Sequence, residues 1–120
     1  MARIALENMR FFAYHGVYPW EAEAGHEFSV DLIMETDISA AGRSDQIEDT
    51  VDYGKAYENV KAVMSERVNL LETLVSRIGK LTLHSLPQVK AVTVRVSKYM
   101  PKAGGPLDRT WVEETFTRPA

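Results

Sequence analysis

The chain contains no cysteine. That excludes disulfides, thiolate nucleophiles and thiolate metal sites, and it suits a reducing compartment. It has no long apolar run, so no segment reads as a membrane span. Its first residues, Met1-Ala2-Arg3-Ile4, lack the apolar stretch of a secretory leader. It has no excess of positive charge: the net charge is -3 and no basic cluster occurs, which argues against nucleic acid as a partner. His15, His26 and His84 are the only histidines, and none has a second histidine at metal-ligand spacing. There is no GxGxxG, P-loop or GxSxG, so nucleotide and hydrolase chemistry have no local support. A cytoplasmic protein with neither nucleic-acid nor membrane partners is predicted.

What is present suits one domain spanning residues 1–120, long enough for one hydrophobic core. Residues 3–14 are rich in β-formers and predict a strand. Residues 27–37 alternate, with Phe28, Val30, Leu32 and Met34 on one face. The two read as a long hairpin joined by residues 15–26. Residues 39–45 are small and polar and predict a loop. Beyond Asp52, a suitable N-cap, the period becomes helical through Ala56, Tyr57, Val60, Val63 and Met64, with an end near Arg67. A second helical stripe runs from Leu70 to Leu81 and stops before Pro87. Strands follow at 90–97 and 111–118, separated by a loop with two prolines and Gly104-Gly105. The order ββααββ predicts an α+β domain: an antiparallel four-stranded sheet with two helices on one face. Two free edges and a half-exposed aromatic hairpin point to self-association.

Four stretches carry potential chemistry. In "RFFAYHGVYPWE", residues 10–21, a strand-like first half gives way at His15-Gly16 to a turn ending in Glu21. In "NLLETL", residues 69–74, Asn69 and Glu72 fit a capping box. The same Glu72, at a helix N-terminus among leucines, could instead bind a two-donor N–H edge. "TVDYG", residues 50–54, places Tyr53 at a strand-to-helix joint, where it could pack or reach a ligand. "VSKYMP", residues 96–101, puts Lys98 just past an alternating strand: a solvated lysine, or a reactive one if a pocket surrounds it.

Taken together, "NMRFFAYHGVYPWE", "TVDYG", "NLLETL" and "VRVSKYMP" resemble, in order and spacing, the dihydroneopterin aldolase family of folate biosynthesis. The resemblance covers about Ile4 to Lys98. It implies the tunnelling fold (T-fold), with subunits joined edge to edge in a ring-like barrel, as a homo-oligomer of four or eight with sites at subunit interfaces. It implies a pterin substrate, 7,8-dihydroneopterin, cleaved to 6-hydroxymethyl-7,8-dihydropterin and glycolaldehyde. The substrate's own C6=N5 imine can take the electrons of the broken bond, so no cofactor, metal or Schiff base is implied. By the same resemblance Glu72 anchors the pterin and Leu71 adds a backbone contact. Lys98 is the catalytic acid and base, Tyr53 lies by the substrate from a neighbouring subunit, and Glu21 pairs with Lys98. His15 could be catalytic or could hold the turn by hydrogen bonds.

The chain departs from the family at His26, where Gln or Asn is common, and in "YMPKAGGPLDR", which replaces a Pro-rich loop. An epimerase of dihydroneopterin or its triphosphate is one alternative, although Lys102 and Arg109 alone are little basic charge for a triphosphate. A non-catalytic pterin-binding oligomer is another. A zinc-dependent pterin synthase of the same fold would need a histidine cluster that is absent.

Overall fold

The computed structural model describes residues 1–119. Four strands, β1 (Ala2–Ala13), β2 (His26–Thr36), β3 (Ala91–Tyr99) and β4 (Arg109–Thr117), form one antiparallel sheet in the order β1-β2-β3-β4. The alternation in β2 buries Phe28, Val30, Leu32 and Met34 completely, and Val92, Val94 and Val96 of β3 lie beside them. Asn8, at a positive φ of 56°, marks a bulge in β1 between Leu6 and Met9. Its N–H donates to Asp31 Oδ1 at 2.7 Å.

The helical pair closes one face of this sheet. Helix α3 (Tyr53–Met64) starts where Asp52 Oδ1 accepts from the N–H groups of Gly54 and Lys55, and it buries Ala56, Val60 and Met64. Helix α4 (Leu71–Ser85) buries Leu74, Val75, Ile78, Gly79 and Thr82 against β3 and β4. Gly79 is needed there: a Cβ would occupy the space of the Phe116 ring. The ββααββ expectation is thus met. Among the described residues, no helix is long and apolar enough to cross a membrane.

Several boundaries differ from expectation, each for a physical reason. The connector between β1 and β2 folds into the short helix α1 (Pro19–Ala24), entered by Pro19, whose φ is preset, and ended by Gly25 at φ 74°. The stretch 39–45 carries another short helix, α2 (Ser39–Ser44), where a loop was expected. Helix α3 ends at Met64 instead of Arg67 because Arg67 and Val68 bond to the turn after β1. Strand β3 runs to Tyr99, because β2 and β4 flank it on both sides, pairing Lys98 with Phe28 and Thr110. Lys98 therefore belongs to the strand and does not lie past its end.

Candidate active site

The site is built outward from His15. This ring is 2% exposed and bridges two elements. Its Nε2 lies 3.0 Å from the Met64 carbonyl, and the Val68 N–H donates to its Nδ1 at 3.1 Å. Those partners fix a neutral ring with the proton on Nε2. Its pKa is lowered by burial and by the charges of Arg67 and Lys98, against a smaller opposing pull from the Met64 carbonyl. The Gly16 N–H donates to the Val68 carbonyl at 3.0 Å, and Arg67 donates to the carbonyls of Tyr14 and Gly16. The "YHG" turn is thus tied to the α3–α4 connection, and the start of α4 is held beside it. His15 is spent on this task, so of its two readings the hydrogen-bonding one fits the geometry.

Gly16 makes room for the next group. The carboxylate of Glu21 lies where a Cβ on residue 16 would be. Glu21 sits in the first turn of α1 and is 5% exposed. Its Oε1 accepts the Tyr18 N–H at 3.2 Å, and its Oε2 accepts from Lys98 Nζ in a short contact. His26 Nδ1 approaches the same Oε2 to 3.9 Å. Burial alone would raise the Glu21 pKa. The hydrogen bonds from Lys98 and Tyr18 and the charges of Lys98 and His26 outweigh it, so the net shift is downward. A buried carboxylate and a half-buried ammonium thus face each other.

This pair opens into a cavity of about 190 Å³ whose lining includes Tyr18, Trp20, Glu21, Asn69, Lys98 and Lys102. Lys102 Nζ lies 5.1 Å from the Trp20 ring centroid. A neighbouring hollow of about 460 Å³ shares Val17 and Asn69 with it and continues along Leu70 and Thr73 at the start of α4. The two adjoin at Val17 and Asn69, so a groove runs from the Lys98–Glu21 pair to Leu70 and Thr73.

The predicted residues therefore fall into three groups. Glu21 and Lys98 meet directly. Leu71 and Glu72 occupy the first two positions of α4, outside the lining of both hollows, with Glu72 exposed. Tyr53 begins α3, is 64% exposed, and does not line the Lys98 cavity. The capping-box reading of Asn69 and Glu72 is not borne out: Leu70 holds the N-cap position, no side chain caps α4, and Asn69 lines the cavity. The carboxylate of Glu72 is consequently uncommitted to its own helix. Sequence reasoning missed the direct approach of His26 to Glu21 and the placement of Lys102 in the wall. The aromatic-rich run ending at Glu21 was the available signal for the wall. Among the described residues no three His, Asp or Glu side chains come together.

The family model described as dihydroneopterin aldolase matches residues 4–115. A dihydroneopterin aldolase of Staphylococcus epidermidis is 39% identical over 111 residues, 92% of each chain. That of Bacillus subtilis is 37% identical over 116 residues, covering 96% of this chain and 97% of the other. Among solved structures, Escherichia coli dihydroneopterin aldolase in complex with neopterin superimposes with a TM-score of 0.88 at 23% identity. The match covers 97% of this chain and 99% of that one, a likeness of fold.

Proposed function

The chain belongs to the dihydroneopterin aldolase family, and on that premise we propose that its Lys98–Glu21 pair carries the acid–base work of a retro-aldol cleavage in folate biosynthesis. The substrate is 7,8-dihydroneopterin, and the products are 6-hydroxymethyl-7,8-dihydropterin and glycolaldehyde. The observation that carries this reading is the contact of a half-buried lysine with a buried carboxylate at a cavity mouth. In the forward step the hydroxyl proton of the side-chain carbon next to the breaking bond is removed. The C–C bond opens, and its electrons pass through C6=N5 as N5 takes a proton. The enol so formed is then protonated on the side-chain carbon as N5 gives its proton back, which restores C6=N5. A base and an acid are needed at neighbouring points, and a coupled Lys98–Glu21 pair can exchange one proton between those roles. Lys98 delivers to N5 through a water, without forming a Schiff base.

Glu72 anchors the pterin. A carboxylate that caps nothing can accept from ring N3–H and the 2-amino group together, with the α4 N-terminus favouring its charge. Leu71 lends a backbone contact beside it. Tyr53 assists enol protonation from a neighbouring subunit. Three features support a shared site in a homo-oligomer, a tetramer or octamer ring. The Lys98 cavity is smaller than the roughly 300–1,000 Å³ usual for ligand pockets. Tyr53 does not line it and is exposed. Phe12 and Tyr14, at the end of edge strand β1, are exposed as well.

The test is product analysis. Purified protein with 7,8-dihydroneopterin and excess EDTA is expected to release 6-hydroxymethyl-7,8-dihydropterin, separated by chromatography. An epimer as the sole product would move the activity to side-chain inversion, and no conversion would leave only pterin binding. In parallel, Glu72→Ala is expected to abolish pterin binding by fluorescence titration; binding at wild-type strength would remove the anchor role.

A further inference from the structure

Among the described residues, one buried side-chain polar atom has no hydrogen-bond partner, and it is His26 Nδ1. Such atoms are rare because each carries a desolvation cost, so its position is informative. His26 opens β2, paired with Ala13 of β1. Its ring lies against Trp20 of α1, at 5.7 Å between centroids, and against Phe28 of β2, at 6.5 Å. Its side chain is 12% exposed. Nδ1 stands 3.9 Å from Glu21 Oε2, the same oxygen that Lys98 Nζ holds. His26 is not part of the cavity wall.

One carboxylate oxygen thus faces two nitrogen bases from different elements, Lys98 on β3 and His26 on β2. At 3.9 Å the imidazole makes no hydrogen bond. A movement of about 1 Å would give one, provided Nδ1 carries a proton. We propose that His26 is a positioning residue that decides which partner Glu21 serves. With the ring neutral, Oε2 belongs to Lys98 and the acid–base pair is assembled. With the ring protonated, Nδ1–H takes Oε2 and leaves Lys98 without its counter-charge. The site is then switched off by acid. This rests on the functional reading of Lys98 and Glu21 given above.

The charges around the ring fit such a switch. Burial and the charge of Lys98 lower the His26 pKa below its ordinary 6.5, and Glu21 opposes them less strongly. The ring is therefore neutral at neutral pH, and the switch operates on the acid side of 6.5. The other neighbours do not compete. Trp20 and Phe28 do not titrate, and Lys102 lies over the Trp20 ring, 5.1 Å from its centroid. His15 touches Phe28 at 5.2 Å, with both its nitrogens committed to Met64 and Val68. Glu27, the next residue, pairs with Arg10.

Two measurements test this. The first is the pH profile of kcat/KM for 7,8-dihydroneopterin cleavage by wild type, His26→Gln and His26→Asn. Wild-type activity is expected to fall about tenfold per pH unit below the His26 transition, the slope of one proton. Either neutral amide should keep kcat/KM at pH 8 within roughly threefold and lose that limb. A merely structural histidine would lower activity at every pH and leave the limb in place, which would overturn the proposal. The second measurement needs no turnover: carbon-13 NMR of the Glu21 carboxyl in the unliganded protein. Its shift should step with the protonation of His26 in wild type. No step, with His26 titrating, would refute the switch even if the enzyme is active. Absence of cleavage at any pH would instead refute the aldolase reading, and the carboxyl step would then stand on its own.

Discussion

Gly16→Ala should separate catalysis from folding more sharply than any substitution of a titratable group. The new Cβ would enter the space of the Glu21 carboxyl group, whereas ordinary contact begins at 3.4 Å. The carboxylate is the free end of its side chain, so it yields before the backbone does. The retreat required is roughly 1 Å, and it takes Oε2 away from Lys98 and Oε1 from the Tyr18 N–H. A misplacement of that size in a catalytic group costs about 10²-fold in rate. The stability cost is separate. Gly16 has φ 154°, a conformation that L side chains rarely adopt, and forcing Ala into it costs about 1–3 kcal/mol. A domain with roughly 5–15 kcal/mol of stability remains folded after that loss.

The assay is kcat/KM for dihydroneopterin cleavage beside urea unfolding of the same protein. The decisive comparison is a cycle with Glu21→Gln. If Gly16 acts by leaving room for the carboxylate, the double variant is no slower than Glu21→Gln alone, because both changes disable one unit. Losses that multiply would show that Gly16 works through something else. A Gly16→Ala enzyme within threefold of wild type would refute the reasoning outright.

Three further outcomes are expected. His15→Leu leaves the buried Met64 carbonyl and Val68 N–H unpartnered and should lower stability by about 2–4 kcal/mol, read from the urea midpoint. Both His15 and His26 have folded pKa values below 6.5, so the unfolded chain binds more protons just below that pH. Wild-type stability should accordingly fall on acidification through this window, and less so in the His15→Leu variant; parallel curves would contradict it. Mixing inactive Tyr53→Phe with inactive Lys98→Ala protein, followed by subunit exchange, should restore partial activity if each site draws on two subunits. Activity that stays at zero after verified exchange would place the whole site in one chain.

The parts of the fold that were legible in the sequence are those where a period repeats. Phe28, Val30, Leu32 and Met34 alternate and are fully buried, and Ala56, Val60 and Met64 recur at helical spacing and face the core. Asp52 announced its helix because a cap is a local device. Lys98 could not be placed by local pattern, since the length of β3 is set by β2 and β4 on either side. The start of α4 was misread for a similar reason. Asn69 and Glu72 have capping-box spacing, but Val68, donating to His15 and accepting from Gly16, fixes the chain just before it, and the helix begins at Leu71. The approach of His26 to Glu21 joins two residues whose separation of five says nothing about distance, because Glu21 lies inside α1 and His26 opens β2 beyond the turn at Gly25.

The proposed division of labour follows from what each task tolerates. An acid–base pair must be held within a fraction of an ångström, and the pair proposed for that work is held by elements of one continuous chain. Helix α1 is pinned by Pro19 and Gly25, β3 is paired on both sides, and the turn at Gly16 is laced to Val68. Recognition of a flat heterocycle and protonation of an enol tolerate looser positioning, because a carboxylate or a phenol on a mobile side chain can adjust to a bound ring. Those are the roles proposed for Glu72 and Tyr53, and both residues lie exposed at helix starts. If subunits complete the site, the interface adds the adjustable groups to a pair that each chain has already assembled. Loss of oligomerisation should therefore weaken binding before it disturbs the contact between Lys98 and Glu21.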